Sequence, residues 1–247
     1  MKGIDSHCHL DFEQFNKDRE KVIHRTMEEL EMIVNPGANP KHNKRAYELS
    51  QEFPDFVKFN TGLHPVYTDD FESIEKVKKQ VTRFNPPAIG EIGLDHHHVE
   101  EPEKRRHQKR IFEEMLNLAE SKSLPVVLHT RDAEKQVLDI LDNYSLEDVF
   151  LHCFNGSTEE VEYAMDQGYF VGVTTQILYS KSVQELTKSI DLDRLLLETD
   201  SPYLYRGSRN EPLNILESAE KMAEIKCIDK KEILQFTSKN SKEFFSR

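Results

Sequence analysis

Apolar positions along the chain alternate between two periods. Short apolar runs bounded by turn residues read as buried strands, and apolar residues three and four apart read as helix faces. The runs are Gly3–His7, Met32–Val34, Phe56–Asn60, Ala88–Ile92, Pro125–Leu128, Val149–Leu151, Tyr169–Val173 and Arg194–Thr199. Between them fall helical stripes: Val22, Ile23, Met27 and Leu30; Ala46, Tyr47 and Leu49; Ile74, Val77 and Val81; Ile111, Met115 and Leu118. Val137, Ile140 and Leu141, then Val161, Ala164 and Met165, then Val183, Leu186 and Ile190 continue the series. Ile215, Ala219 and Met222 open a C-terminal helical segment, continued by Ile233, Leu234 and Phe236.

Eight strands alternating with helices predict an α/β fold with parallel pairing through right-handed crossovers, and eight such units close into a TIM (β/α)8 barrel. An open doubly wound sheet is the alternative. It calls for a Gly-rich phosphate turn after the first strand, where this chain carries His7-Cys8-His9-Leu10. A length of 247 residues with 37% apolar content suits one barrel domain over residues 1–247, ending in the helical segment.

Barrel chemistry sits at the C-terminal mouth of the strands. His7, His9, His64, Glu91, His129, His152 and Asp200 all fall at strand ends. Side chains two apart on a strand share a face, so Asp5, His7 and His9 point together, and Asp5 is expected to hold an imidazole by its second ring nitrogen. His7, His9, His129 and His152 with Glu91 and Asp200 are too many donors for one open catalytic ion. They suit two divalent ions about 3.5–4 Å apart with a bridging carboxylate. Imidazole and carboxylate accept Zn or Mn, and the carboxylates accept Mg.

The motifs place the chain further. It resembles the TatD-type metal-dependent deoxyribonucleases of the amidohydrolase-like barrel superfamily. The segments that carry the resemblance are Asp5-Ser6-His7-Cys8-His9-Leu10, Gly62-Leu63-His64-Pro65 and Gly90-Glu91-Ile92-Gly93-Leu94-Asp95. Leu128-His129-Thr130-Arg131-Asp132-Ala133, His152-Cys153-Phe154, Glu198-Thr199-Asp200-Ser201-Pro202-Tyr203, Arg209-Asn210-Glu211-Pro212 and Asn240 follow in the family's order. The resemblance implies that His7, His9 and Asp200 hold a first metal, that Glu91 bridges, and that His129 and His152 hold a second. It also implies DNA as the substrate, trimmed from a 3′ end. The chain departs from the family pattern at Asn155, where Ser is usual, and at His96-His97-His98, in a loop that often carries an aromatic residue. The carboxylated lysine of many amidohydrolase relatives has no counterpart, and Glu91 stands at that strand end.

The remaining candidates concern substrate. Arg131, two past His129, is expected to face the mouth and clamp a phosphate oxygen; a salt bridge to Asp95 or Asp132 is the alternative. His64 is expected to donate a proton or hydrogen-bond a phosphate, or else to cap the turn at Pro65. Tyr203, Tyr205, Arg206 and Arg209 can line a strand-binding groove by stacking and phosphate contact, or else fill a surface loop. At most one of His96–His98 should approach the mouth. Cys8 and Cys153 read as buried packing residues turned off the metal side, and Cys227 as an inert residue of the helical tail.

The expected reaction is phosphodiester hydrolysis by a two-metal-activated hydroxide, making the chain a 3′-5′ exodeoxyribonuclease. Asp200 would orient the nucleophile and take its proton, and the local charge would be about +1. Hydrolysis of a carbonyl bond (an amide, an ester or an aminoacyl-tRNA linkage) is the alternative, and a metal-carrying scaffold without turnover is another. Lys plus Arg is 33 and Asp plus Glu 45, a net charge of −12. That argues against tight nonspecific polyanion binding and for a transient DNA partner. Three cysteines, the absence of a long apolar run and the absence of a signal segment point to a cytoplasmic protein outside the membrane. No obligate protein partner is expected, and the chain should be a monomer.

Overall fold

The computed structural model describes residues 2–68 and 71–245. Its elements are β1 (Gly3–Asp5), α1 (Arg19–Glu29), β2 (Leu30–Pro36), α2 (Pro40–Glu52), β3 (Val57–Asn60), α3 (Phe71–Phe84), β4 (Ile89–Asp95) and α4 (Pro102–Lys122). They continue with β5 (Val126–Arg131), α5 (Glu134–Leu141), β6 (Val149–His152), α6 (Thr158–Asp166), β7 (Phe170–Val173), α7 (Lys181–Ser189), β8 (Leu195–Leu197), α8 (Ile215–Lys226) and α9 (Lys230–Phe245). Two parallel ladders form, β1-β2-β3 and β4-β5-β6-β7-β8. Single parallel bridges, Thr61 with Ile89 and Cys8 with Ser201, join them at both seams. The result is the closed TIM barrel that the alternation predicts. Among the described residues no helix is long and apolar enough to cross a membrane.

Three local readings change. β1 stops at Asp5 and β8 at Leu197. The Asp5 carboxylate, rather than a strand carbonyl, accepts the Thr199 N–H at 2.9 Å, so the ladder ends there. In α1 the buried face is Val22, Ile23 and Thr26. Met27 stands exposed, and Leu30 opens β2 instead of closing the helix.

Helices cover the outside of the barrel, and the outward side chains of β4–β8 pack beneath them with Ile111, Phe112, Met115 and Leu116 of α4. Alternate residues fill the interior: Ile4, Val34, Ala88, Val127, Phe150, Phe170 and Leu196. Phe244 and Phe245 of α9 belong to this interior cluster. Phe244 meets Phe150 and Phe170 edge-on at 5.8 and 5.7 Å between ring centroids. The C-terminal segment is therefore a plug for the end of the barrel opposite the mouth. Asn240 fixes it by donating to the carbonyls of Leu192 and Leu195 at 2.8 and 2.9 Å. Ser241 adds a hydroxyl contact to Ser6 at 2.7 Å. Phe244→Ala should cost about 3–5 kcal/mol of stability, read as a lower denaturant midpoint. An unchanged midpoint would mean that the plug is dispensable.

Candidate metal centre

The sequence-separated donors meet at the mouth. Strand pairing sets His129 opposite His152 in register. The Nε2 atoms of His7 and His9 lie 3.2 Å apart. Glu91 Oε2 faces this pair, 3.5 Å from His7 Nε2 and 3.9 Å from His9 Nε2. Its other oxygen, Oε1, faces the second group: 3.0 Å from His129 Nδ1, 3.5 Å from His64 Nε2 and 3.9 Å from His152 Nε2. Asp200 Oδ1 lies 3.4 Å from His9, 3.7 Å from His152 and 3.8 Å from His7, each to Nε2. All six proposed ligands are thus gathered, with Glu91 between two clusters.

Two observations show that this set fits divalent ions. Ligand atoms about 2.0–2.2 Å from one ion sit about 3.3–3.6 Å apart in a tetrahedral shell, close to the edges just given. The second observation is charge. Among the described residues no Lys or Arg pairs with Glu91, Asp95, Glu198 or Asp200; their ion-pair partners are histidines alone. Buried carboxylates without a cation are costly, so protons on imidazole or bound ions have to supply the positive charge.

Buried carboxylates stand behind two of the imidazoles. The His152 Nδ1–H donates to Glu198 Oε2 at 2.6 Å, and the second Glu198 oxygen accepts the Cys153 backbone N–H at 2.6 Å. Asp95 Oδ2 lies 3.0 Å from His129 Nε2. Each fixes a ring so that its other nitrogen points into the cluster. Neither carboxylate has a site role in the sequence reading. The available signal for Glu198 is a charge ending the apolar run Leu195-Leu196-Leu197, which implies a buried partner. A Cβ on Gly172 would fall 2.2 Å from Glu198 Oε1, so β7 needs glycine to leave room for this carboxylate.

Asp5 departs from expectation. It holds no imidazole. Its oxygens accept from Thr199 N, Thr199 Oγ1 and His7 N at 2.9, 2.6 and 3.2 Å. It ties β1 to the segment carrying Asp200, while the His7 Nδ1 has no hydrogen-bond partner among the described residues. Asn210 braces the same segment, donating to Thr199 O and Tyr203 O at 2.8 and 2.7 Å. Asp200 itself takes a left-handed backbone, φ 55°, as does Cys153 at 47°. Such conformations in non-glycine residues cluster at functional sites.

The electrostatics follow from crowding. Burial pulls the His152 imidazole down, but Glu198, Glu91 and Asp200 outweigh it and push it up to about 10. Burial likewise opposes His9 and His129, yet neighbouring carboxylates raise both. Burial, with the charge of His152, lowers His7. Burial raises Glu91, but the surrounding histidines hold it well below the usual carboxylate range. Burial dominates at His64 and drops it to about 3. His64 Nδ1 accepts the Val66 N–H at 3.2 Å, so the neutral ring carries its proton on Nε2, toward Glu91. His64 is thus the turn cap, and its second ring nitrogen faces Glu91.

A cavity of about 900 Å³ opens over the cluster. Arg131 borders it and makes no ion pair among the described residues, so the alternative bridge to Asp95 or Asp132 does not form. It is the one Arg or Lys on the described wall. Tyr203 also borders the cavity. Arg206 and Arg209 do not. Arg206 is exposed 4.0 Å from Glu217. Arg209 spends its fork on Asp18, at 2.8 and 2.7 Å, and on Glu211 at 2.7 Å. It also lies over the Phe15 ring at 4.7 Å. Tyr205 likewise turns away, its hydroxyl donating to Glu217 at 2.7 Å.

The family model described as TatD related DNase matches residues 4–246. The chain belongs to the TatD family. An uncharacterized metal-dependent hydrolase of Methanocaldococcus jannaschii is 35% identical over 253 residues, covering 100% of this chain and 98% of that protein. The 3'-5' ssDNA/RNA exonuclease TatD of Erwinia tasmaniensis is 32% identical, covering 98% and 99%. The crystal structure of YjjV, a TatD homolog from Escherichia coli, matches with a TM-score of 0.90 at 27% identity, covering 99% and 98%.

This TatD-family site carries its own departures. Of the three consecutive histidines, His98 alone borders the cavity, its Nδ1 2.8 Å from Asp95. His97 turns to Asp132 at 3.1 Å. Asn155 sits on the wall and donates to the Cys153 carbonyl at 2.7 Å. Cys8 is buried as expected, but Cys153 is only half-buried and faces the cavity. Its left-handed backbone redirects the side chain that simple alternation turns away. Cys227 is exposed at the end of α8.

Proposed function

We propose that this TatD-family hydrolase holds two divalent ions and cleaves the 3′-terminal phosphodiester of single-stranded DNA. The observation that supports this most is the division of Glu91, whose two oxygens face separate imidazole groups. In this reading His7, His9 and Asp200 hold one ion, His129 and His152 the other, and Glu91 both. When bound, the ions would lower the pKa of a water and offset charge on the phosphate.

The chain's own residues divide the remaining work. Asp200, with three imidazoles about it, stays ionised and accepts the proton of the attacking water. The oxygen–phosphorus bond forms as the bond from phosphorus to the 3′-oxygen of the shortened strand breaks; that oxygen takes a proton from solvent and the terminal nucleotide leaves with the phosphate. His64 Nε2–H donates a hydrogen bond. The four carboxylates Glu91, Asp95, Glu198 and Asp200 match the charge of two divalent ions, so no surplus of +1 is left at the centre. Attraction for a phosphate then falls to Arg131, the one Arg or Lys on the described wall. Its guanidinium would pair with a non-bridging oxygen.

Incubating metal-loaded protein with end-labelled single-stranded DNA tests the reading. A ladder of shortened products, lost with chelator and recovered on adding metal, is expected. An inert strand alongside deacylation of a charged tRNA would transfer the site to carbonyl hydrolysis. Silence on both would leave a metal-carrying scaffold.

A further inference from the structure

Aromatic rings from three loops meet on one wall of the cavity. Phe12 follows β1, Tyr67 follows β3 and Tyr203 follows β8, and all three border the cavity. Phe12 stacks on His9, with centroids 4.4 Å apart and planes at 23°. Tyr203 meets Phe12 edge-on at 6.2 Å. His42 of α2 extends the arc, 4.8 Å from Phe12 and 6.5 Å from Tyr67. His42 is pinned from behind: its Nδ1 lies 2.5 Å from the buried Asp11, which accepts from Asn35 Nδ2 at 2.9 Å.

The two tyrosines are unlike most others in the chain. Tyr67 is 42% and Tyr203 46% exposed. Tyr144, Tyr163, Tyr179 and Tyr205 each donate a hydroxyl hydrogen bond to a protein acceptor. Among the described residues neither Tyr67 nor Tyr203 does, so both carry a free hydroxyl and both are exposed at the mouth. Across the cavity from the ring-bearing loops the wall is polar and carries Arg131, on β5. A ligand suited to both walls has a flat apolar group near one anion.

We propose that Tyr67 and Tyr203, backed by the Phe12–His42 arc, form a stacking site for one unpaired nucleobase beside the scissile phosphate. The proposal rests on the nuclease reading and specifies how its substrate is chosen. An open base offers a π face to a tyrosine whatever its identity. A paired base is held by its partner strand and has to be unpaired before it can swing onto the rings, so the site favours a single-stranded end and tolerates any sequence.

The test uses a short DNA strand with a fluorescent 2-aminopurine as its 3′-terminal base and a phosphorothioate linkage that resists cleavage, added to the metal-loaded protein. Stacking predicts quenching on binding. Tyr203→Ala and Tyr67→Ala should each weaken Kd by about ten-fold or more and reduce the quenching. Tyr203→Phe and Tyr67→Phe should keep both. A strand with an abasic terminal residue should bind the native protein as weakly as the alanine variants bind the normal strand. Cleavage of ordinary strands with no quenching, and with Kd unmoved by either alanine, would overturn the stacking site and leave the nuclease reading standing. Quenching that depends on both tyrosines, without cleavage of any strand, would support the site and overturn the nuclease reading instead.

Discussion

Glu91→Gln is expected to abolish turnover and release bound metal while the barrel stays folded. The amide keeps the shape of the carboxylate but not its charge. It cannot offer one anionic oxygen to the His7–His9 pair and another to the group containing His64, His129 and His152. The loss in kcat/KM should be on the order of 10³-fold or more, at least what removal of one oxyanion-stabilising donor costs. Packing should survive, because the residue lies among polar donors at the mouth and the interior of the barrel is filled below it. Elemental analysis of the purified variant and its near-ultraviolet circular dichroism check the two halves separately. Full metal content with full activity would remove Glu91 from the centre. Loss of the dichroism signal would show a structural role instead.

The second large effect is expected at Glu198. Truncation to Ala strips the partner from His152 Nδ1 and from the Cys153 N–H, both at 2.6 Å. It leaves two buried donors unsatisfied, each worth about 1–3 kcal/mol. The freed imidazole can then rotate, so metal affinity should fall about 10–100-fold. Glu198→Gln should recover part of the stability, since its carbonyl can accept one of the two hydrogen bonds. Gly172→Ala offers an independent check on the same contact. Its added methyl would collide with Glu198 Oε1 and should shift metal affinity in the same direction without altering any polar group. Thermal unfolding of the metal-free protein and competition with a coloured chelator separate the two effects. If the alanine variant binds metal as tightly as the native chain, Glu198 is a packing residue and not a positioning one.

The sequence by itself determined the order of the eight strands and their helices, because that information is local. Apolar residues repeat with the period of the element they build, and Asn, Pro and Gly interrupt them where the chain turns. It also determined that His7, His9, Glu91, His129, His152 and Asp200 gather on a common rim, since parallel strands joined by crossovers all point the same way. What it left open depends on contacts between distant segments. Asp5 reaches Thr199 across 194 positions, and Glu198 reaches His152 across 46. Only barrel closure brings those atoms together, so no period or propensity reports them. The same holds for Arg209, whose guanidinium meets Asp18 across the seam between the last strand and the first. Cys153 turned into the cavity because one left-handed residue broke the alternation. Local pattern therefore set which residues stand at the mouth, and the closed barrel decided which of them hold one another.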